Sequence, residues 1–237
     1  MEKLKYKQSI LITTEYVEAL ALYCFCEYNG LDFKKEIAKR KKENLNNFPD
    51  FFLNDRYLEV VRAIEETEGK QQKDIADVFG KKNAEKAVLN KNNELKKYTG
   101  DKDHHIIFGI YRGVAYAYHP LKNSMRQKKD IEHAISLKYE KYKNRLIDKP
   151  TDLFVVSYSV LNKKIVDDIY KWYKNDMTSN FFSSVYILYV SNECEKFSVV
   201  KTNRENIFNK QITPVDKNEL AELIFDLGWL NKNKYVI

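Results

Sequence analysis

The sequence predicts an α/β fold, an α+β sandwich in which a mixed central β-sheet is flanked by helices. Three observations predict it. Runs with helical spacing alternate along the chain with strand-like runs, the pattern of helices packed on a sheet. The stretch DLFVVSYSV, Asp152–Val160, is continuously apolar at its centre, as in a strand covered on both faces. The stretch FFLNDRYLEVV, Phe51–Val61, alternates in character about Asn54-Asp55 and reads as a tight hairpin. With 237 residues, 43% of them hydrophobic, the chain can bury the core of one sizeable domain. Only 7 Gly and 4 Pro exclude a collagen-like or disordered chain and argue against a long linker.

In chain order, residues 10–28 (ILITTEYVEALALYCFCEY) form a helix that is apolar nearly all round, hence buried. Asn29-Gly30 stops it. Residues 32–46 form a second helix with a solvent-facing basic run, Lys39-Arg40-Lys41-Lys42. The hairpin follows at about 49–63. Residues 64–98 are charged and read as a helical insert protruding from the core. The aromatic stretch HHIIFGIYRGVAYAYH, His104–His119, reads as a second hairpin turning at Arg112-Gly113. A long helix at 128–147 precedes the strand at 152–160, and a helix at 162–175 follows it. Strands at 183–190 and 196–200 and a helix at 216–228 complete a single domain, 1–237, with 176–237 extending the core.

Charge and cysteines narrow the setting. A net charge of +7 permits attraction to polyanions, and no basic amphipathic helix dominates, so nucleic acid is expected ahead of membrane. Cys24 and Cys26 lie in an apolar run, and with Cys194 the count is odd. A reducing, cytoplasmic setting without structural disulfides is expected. The N-terminal stretch lacks the cleavage site of a signal peptide.

The chemistry is expected in the first hairpin. If Leu53 faces Arg56, then Asp50 faces Glu59, with Cβ atoms roughly 4.5–5.5 Å apart. Asp50, Phe52, Tyr57, Glu59 and Val61 share one face, and Arg56, Leu58, Val60 and Arg62 share the other. Two carboxylates that close repel unless a cation, a shared proton or solvent relieves them. A hard divalent cation such as Mg²⁺ takes one or two carboxylates plus waters and phosphate oxygens.

Pro49-Asp50, a short hairpin and then Glu59 within a hydrophobic strand resemble the PD-(D/E)XK nuclease superfamily, the restriction-endonuclease-like proteins. The resemblance covers roughly residues 10–65, with the elements to about 160 fitting the same core. It implies hydrolysis of phosphodiester bonds in DNA, with Mg²⁺ or Mn²⁺ held by Asp50 and Glu59. It also implies a metal-ligand or water-orienting acid from the first helix, Glu15 or Glu18. The chain departs from the pattern at Val61, where the superfamily carries its lysine two residues after the second acid. Some members move that lysine to a neighbouring helix. Lys138 is the candidate, since Ile131, Ile135, Lys138 and Tyr142 fall on one helical stripe. The alternative is a lysine whose stem packs while its head reaches water.

For nucleic-acid contact the candidates are Lys39, Arg40, Arg62 and Arg112, the last beside aromatics that could stack bases. The histidines His104, His105, His119 and His133 match no zinc spacing. Three readings follow: a Mg²⁺-dependent nuclease, DNA ahead of RNA; a degenerate nuclease-like fold that binds nucleic acid or protein without catalysis; and a protein–protein module. A homodimer is left open.

Overall fold

The computed structural model describes residues 13–40, 48–63, 107–111, 114–118, 124–191 and 197–234. Its centre is a mixed six-stranded sheet in the order β1-β2-β5-β6-β7-β8, an α/β arrangement with five helices among the described residues. The strands are β1 (Phe51–Leu53), β2 (Arg56–Arg62), β5 (Thr151–Leu161), β6 (Phe182–Ser191), β7 (Phe197–Thr202) and β8 (Ile207–Ile212). A separate antiparallel pair, β3 (Ile107–Tyr111) and β4 (Val114–Tyr118), corresponds to the expected second hairpin. The helices are α1 (Thr14–Asn29), α2 (Phe33–Ala38), α3 (Ser124–Tyr142), α4 (Lys163–Asn175) and α5 (Lys217–Asp226).

The sheet interior is parallel, β2 with β5 and β5 with β6, and both margins are antiparallel. Parallel strands need crossovers, and the crossover helices α3 and α4 both cover one face while α1 and α5 cover the other. Alternate residues of β5 accordingly enter different cores. Phe154 and Val156 pack with Leu20, Leu22, Phe25, Leu220 and Ile224 under α1 and α5. Leu153 and Val155 pack with Ile131, Ile135, Ile165 and Ile169 under α3 and α4. That two-sided burial is why DLFVVSYSV lacks a polar face.

α1 starts where the Thr13 side chain accepts the Tyr16 N–H, and it ends at Gly30, whose φ of 69° favours glycine. Cys24 and Cys26 are fully buried on it, and burial pushes both thiols up, that of Cys26 to about 12. They act as small apolar side chains. Cys194 lies outside the described residues. No helix among the described residues is long and apolar enough to cross a membrane.

Two elements differ from expectation. α2 ends at Ala38, because no apolar side chain follows Ile37 at helical spacing to hold another turn on the core. β8 was not anticipated. Its stretch IFNKQI is an edge strand whose four central residues are all exposed, so the apolar alternation that marks half-buried strands is missing. The insert expected at 64–98 lies outside the described residues.

The hairpin has the expected register, Leu53 with Arg56, Phe52 with Tyr57 and Phe51 with Leu58. Asn54 and Asp55 both take positive φ, 47° and 60°, as a primed two-residue turn requires. Replacing Asp55 by β-branched Val, which tolerates that region poorly, is expected to cost about 1–2 kcal/mol in urea unfolding. Asp55→Gly should cost nothing comparable; equal losses in the two variants would contradict the turn geometry.

Candidate functional site

The hairpin closes on itself through its two acids. The Asp50 N–H donates to Glu59 Oε1 at 3.2 Å, and the Val60 N–H donates to Asp50 Oδ2 at 2.7 Å. Each carboxylate therefore accepts a backbone hydrogen bond from beside the other. Leu58 and Val60 point into the core under α1 and α5, which turns Glu59 to the opposite face, toward α3. There its relative exposure is 0%.

A carboxylate so placed needs a cation, and α3 supplies one. Ile131 and Ile135 are fully buried and fix the rotation of α3 about its axis. Lys138, one turn further on, is thereby aimed inward. Its Nζ lies 2.6 Å from Glu59 Oε2 and 3.8 Å from Asp50 Oδ2. Burial and the charge of Asp50 push the Glu59 carboxyl up, and Lys138 only partly offsets them. Burial by itself would lower the Lys138 pKa, but Glu59 and Asp50 together raise it above its ordinary value. Lys138 is thus a persistent cation. Tyr142, a turn later, is buried beside the same group, and desolvation followed by the Glu59 charge pushes its phenol up to about 12.

On the other side of Asp50 stands Arg40. Its Nη1 lies 2.8 Å from Glu18 Oε2, and its Nη2 lies 3.9 Å from Asp50 Oδ1. The guanidinium stacks over Phe51 at 4.5 Å and faces Trp229 at 5.2 Å. The pair with Glu18 is close but off-line, so none of the three guanidinium nitrogens forms a well-aligned hydrogen bond among the described residues. Glu18, Arg40, Asp50, Lys138 and Glu59 form a run of alternating charges across the end of the hairpin. Glu18 is pushed up to about 7, first by burial and then by Asp50, with Arg40 opposing.

The remaining candidates divide. Glu15 is half-buried and acts on Glu18 only through its charge. Arg40 departs from the expected solvent-facing basic run, being 7% exposed; a planar guanidinium can lie between aromatic faces where an ammonium would stay hydrated. Lys39 stays half-exposed and pairs with Glu36 at 2.6 Å. Arg62 is half-buried on β2. Arg112, His104, His105 and His119 lie outside the described residues, and His133 is exposed. Arg56, on the opposite face of β2 from Glu59, forms a bidentate pair with Asp152 at 2.7 and 2.8 Å. Sequence reasoning missed Arg40 as a buried member of the cluster; its one signal was an arginine among lysines.

The donor set bears on a metal. Among the described residues no group of three or more His, Cys, Asp or Glu is arranged to hold an ion, so an all-protein cage does not fit. Two adjacent carboxylates do fit a hard cation that completes its shell with water and phosphate oxygens. A cleft of about 380 Å³ opens beside Asp50, walled by Lys39, Arg40, Phe48 and Phe52.

The raised Glu18 carboxyl has a consequence for stability. Between its ordinary value of 4.5 and about 7 the folded chain holds a proton that the unfolded chain releases. Stability should therefore fall as pH rises through that window and level off above it. Glu18→Gln should flatten this slope in urea unfolding between about pH 5 and about pH 8, leaving whatever slope the raised Glu59 carboxyl contributes in the same direction. An unchanged slope would contradict the burial of Glu18.

No protein-family model matches the chain, and neither a curated protein nor a solved structure does.

Proposed function

We propose that the protein is a divalent-metal-dependent phosphodiesterase of the PD-(D/E)XK type, acting on DNA. The observation that carries the reading is the position of Lys138. A helix lysine 79 residues from Glu59 in the chain reaches it at 2.6 Å and Asp50 at 3.8 Å. Val61 stands where the superfamily's strand lysine would be, and Lys138 supplies an ammonium to the same carboxylates. The helix α1, the hairpin, and then α3 leading into parallel β5 support a restriction-endonuclease-like core.

Asp50 and Glu59 would hold Mg²⁺ or Mn²⁺. When bound, the ion would polarise a phosphodiester oxygen and acidify a water. The residues of the chain do the rest. Lys138, kept protonated by its two acids, donates hydrogen bonds and stabilises negative charge growing on phosphate; it does not serve as a base. The Val60 N–H fixes Asp50 through Oδ2 and leaves Oδ1 toward Arg40, a residue that also lines the cleft. Arg40 faces that carboxylate at 3.9 Å, and Glu18 pairs with Arg40 in turn. In the geometry described, Lys138 occupies the Glu59 oxygen a cation would take, so ammonium and metal compete for it.

That competition also favours a second reading. Glu59 is wholly buried, with one oxygen on the Asp50 N–H and the other on Lys138. A nuclease-like fold that binds nucleic acid without cutting would keep such a closed network. Incubation with supercoiled plasmid and Mn²⁺ separates the two. Cutting is expected, abolished by Glu59→Gln and lowered about 10²–10³-fold by Lys138→Met. Retarded but uncut plasmid would replace the hydrolase with the binding module.

A further inference from the structure

We propose that the cleft beside Asp50, with the aromatic step at its mouth, takes one unpaired nucleotide of a single-stranded nucleic acid. The proposal rests on the hydrolase reading for where the adjoining phosphodiester would lie, and it adds the form of the substrate. The hairpin alternation that sends Phe51 and Leu53 into the core leaves Phe52 pointing outward, 48% exposed. Its ring lies 5.7 Å from that of Tyr57, which lies 5.5 Å from that of Phe48. Three rings thus run in sequence along the face that carries Asp50 and Glu59.

Cations attend the outer rings. Lys149 Nζ sits 5.2 Å from the Phe52 centroid, and Arg145 Cζ sits 4.7 Å from that of Phe48. Lys39 also lines the cleft. Acids are interleaved: Asp55 lies 3.3 Å from Lys149, Glu36 pairs with Lys39, and Asp148 accepts the Tyr57 hydroxyl at 2.7 Å. Arg145 has no carboxylate partner among the described residues. A lone exposed phenylalanine needs no explanation. Rings in series with cations at their edges, opening on a cleft that ends at an acid, are different. They match the chemistry of a base-stacking platform flanked by backbone-binding charges.

Two features favour a single strand over a duplex. The cleft, about 380 Å³, lies near the floor of the ~300–1,000 Å³ range of small-ligand sites and admits one unit of a strand. A stacking ring needs a free base face, and the interior of a duplex has none to offer.

Fluorescence anisotropy in EDTA tests this apart from any cutting. The probes are a labelled oligothymidylate of roughly twelve nucleotides and a blunt duplex of the same length, at low salt. Single strand should bind more tightly than duplex. Phe52→Ala should weaken single-strand binding about tenfold, while Phe52→Trp restores it. Because Phe52 is half-exposed, the alanine variant should unfold at the wild-type temperature, which separates loss of stacking from loss of fold. Duplex bound as tightly as single strand, or unchanged binding by Phe52→Ala, would overturn the platform. If Mn²⁺-dependent cutting by the wild type then persists and is lost in Glu59→Gln, the hydrolase reading stands without it. Absence of binding to both probes together with absence of cutting would overturn both.

Discussion

A partly buried ammonium and a wholly buried carboxylate that meet at 2.6 Å set the terms for the rest of the structure. Lys138 and Glu59 come from different layers, a helix and a sheet, and neither tolerates burial alone. Removing one partner of such a pair commonly costs about 3–5 kcal/mol, because the other charge is left desolvated. The pair therefore ties the rotation of α3 to the register of the hairpin. A one-residue slip of β2 would turn Glu59 into the opposite core, among Leu22 and Phe154, and leave Lys138 facing Leu58 or Val60.

Asp50 is the hinge of the charge network. It lies just ahead of β1, where the edge of the sheet lets both layers approach. Lys138 reaches it from the layer of α3 and α4. Arg40 reaches it from the layer that includes Phe51 and Trp229. Three carboxylates against two cations leave one negative charge in a desolvated place. The protein relieves part of it by raising the Glu18 carboxyl to about 7. A metal ion at Asp50 and Glu59 would relieve the rest, which links the electrostatic imbalance to the proposed chemistry.

The aromatic residues divide along the same geometry. Phe51, Phe154 and Tyr186 fill the core under α1, with Phe154 and Tyr186 stacked at 6.0 Å. Phe48 and Phe52 line the cleft beside basic side chains, with Tyr57 between them. Adjacent residues of one strand thus serve opposite ends, Phe51 supporting Arg40 from within and Phe52 meeting solvent. The two-residue period of the strand is sufficient cause.

What could be read from the sequence was local. The hairpin was legible to the residue pair because turn chemistry at Asn54-Asp55 and strand alternation act over a few neighbours. The burial of α1 and the two-sided burial of β5 were legible because nearly every residue there is apolar. The stripe Ile131, Ile135, Lys138, Tyr142 was legible as one face of a helix. β8 was not, since an exposed edge strand is held by backbone pairing to β7, and its side chains carry little trace of that. Nor was the inward turn of Arg40, which depends on Trp229 arriving from 189 residues further along the chain. Tertiary structure alone decided that Lys138 points at Glu59 rather than at water, and that Arg56 on the other face of β2 finds its partner in Asp152. A buried charge chooses its partner by which groups the packed layers bring within reach, and that distance is written in no single stretch of the chain.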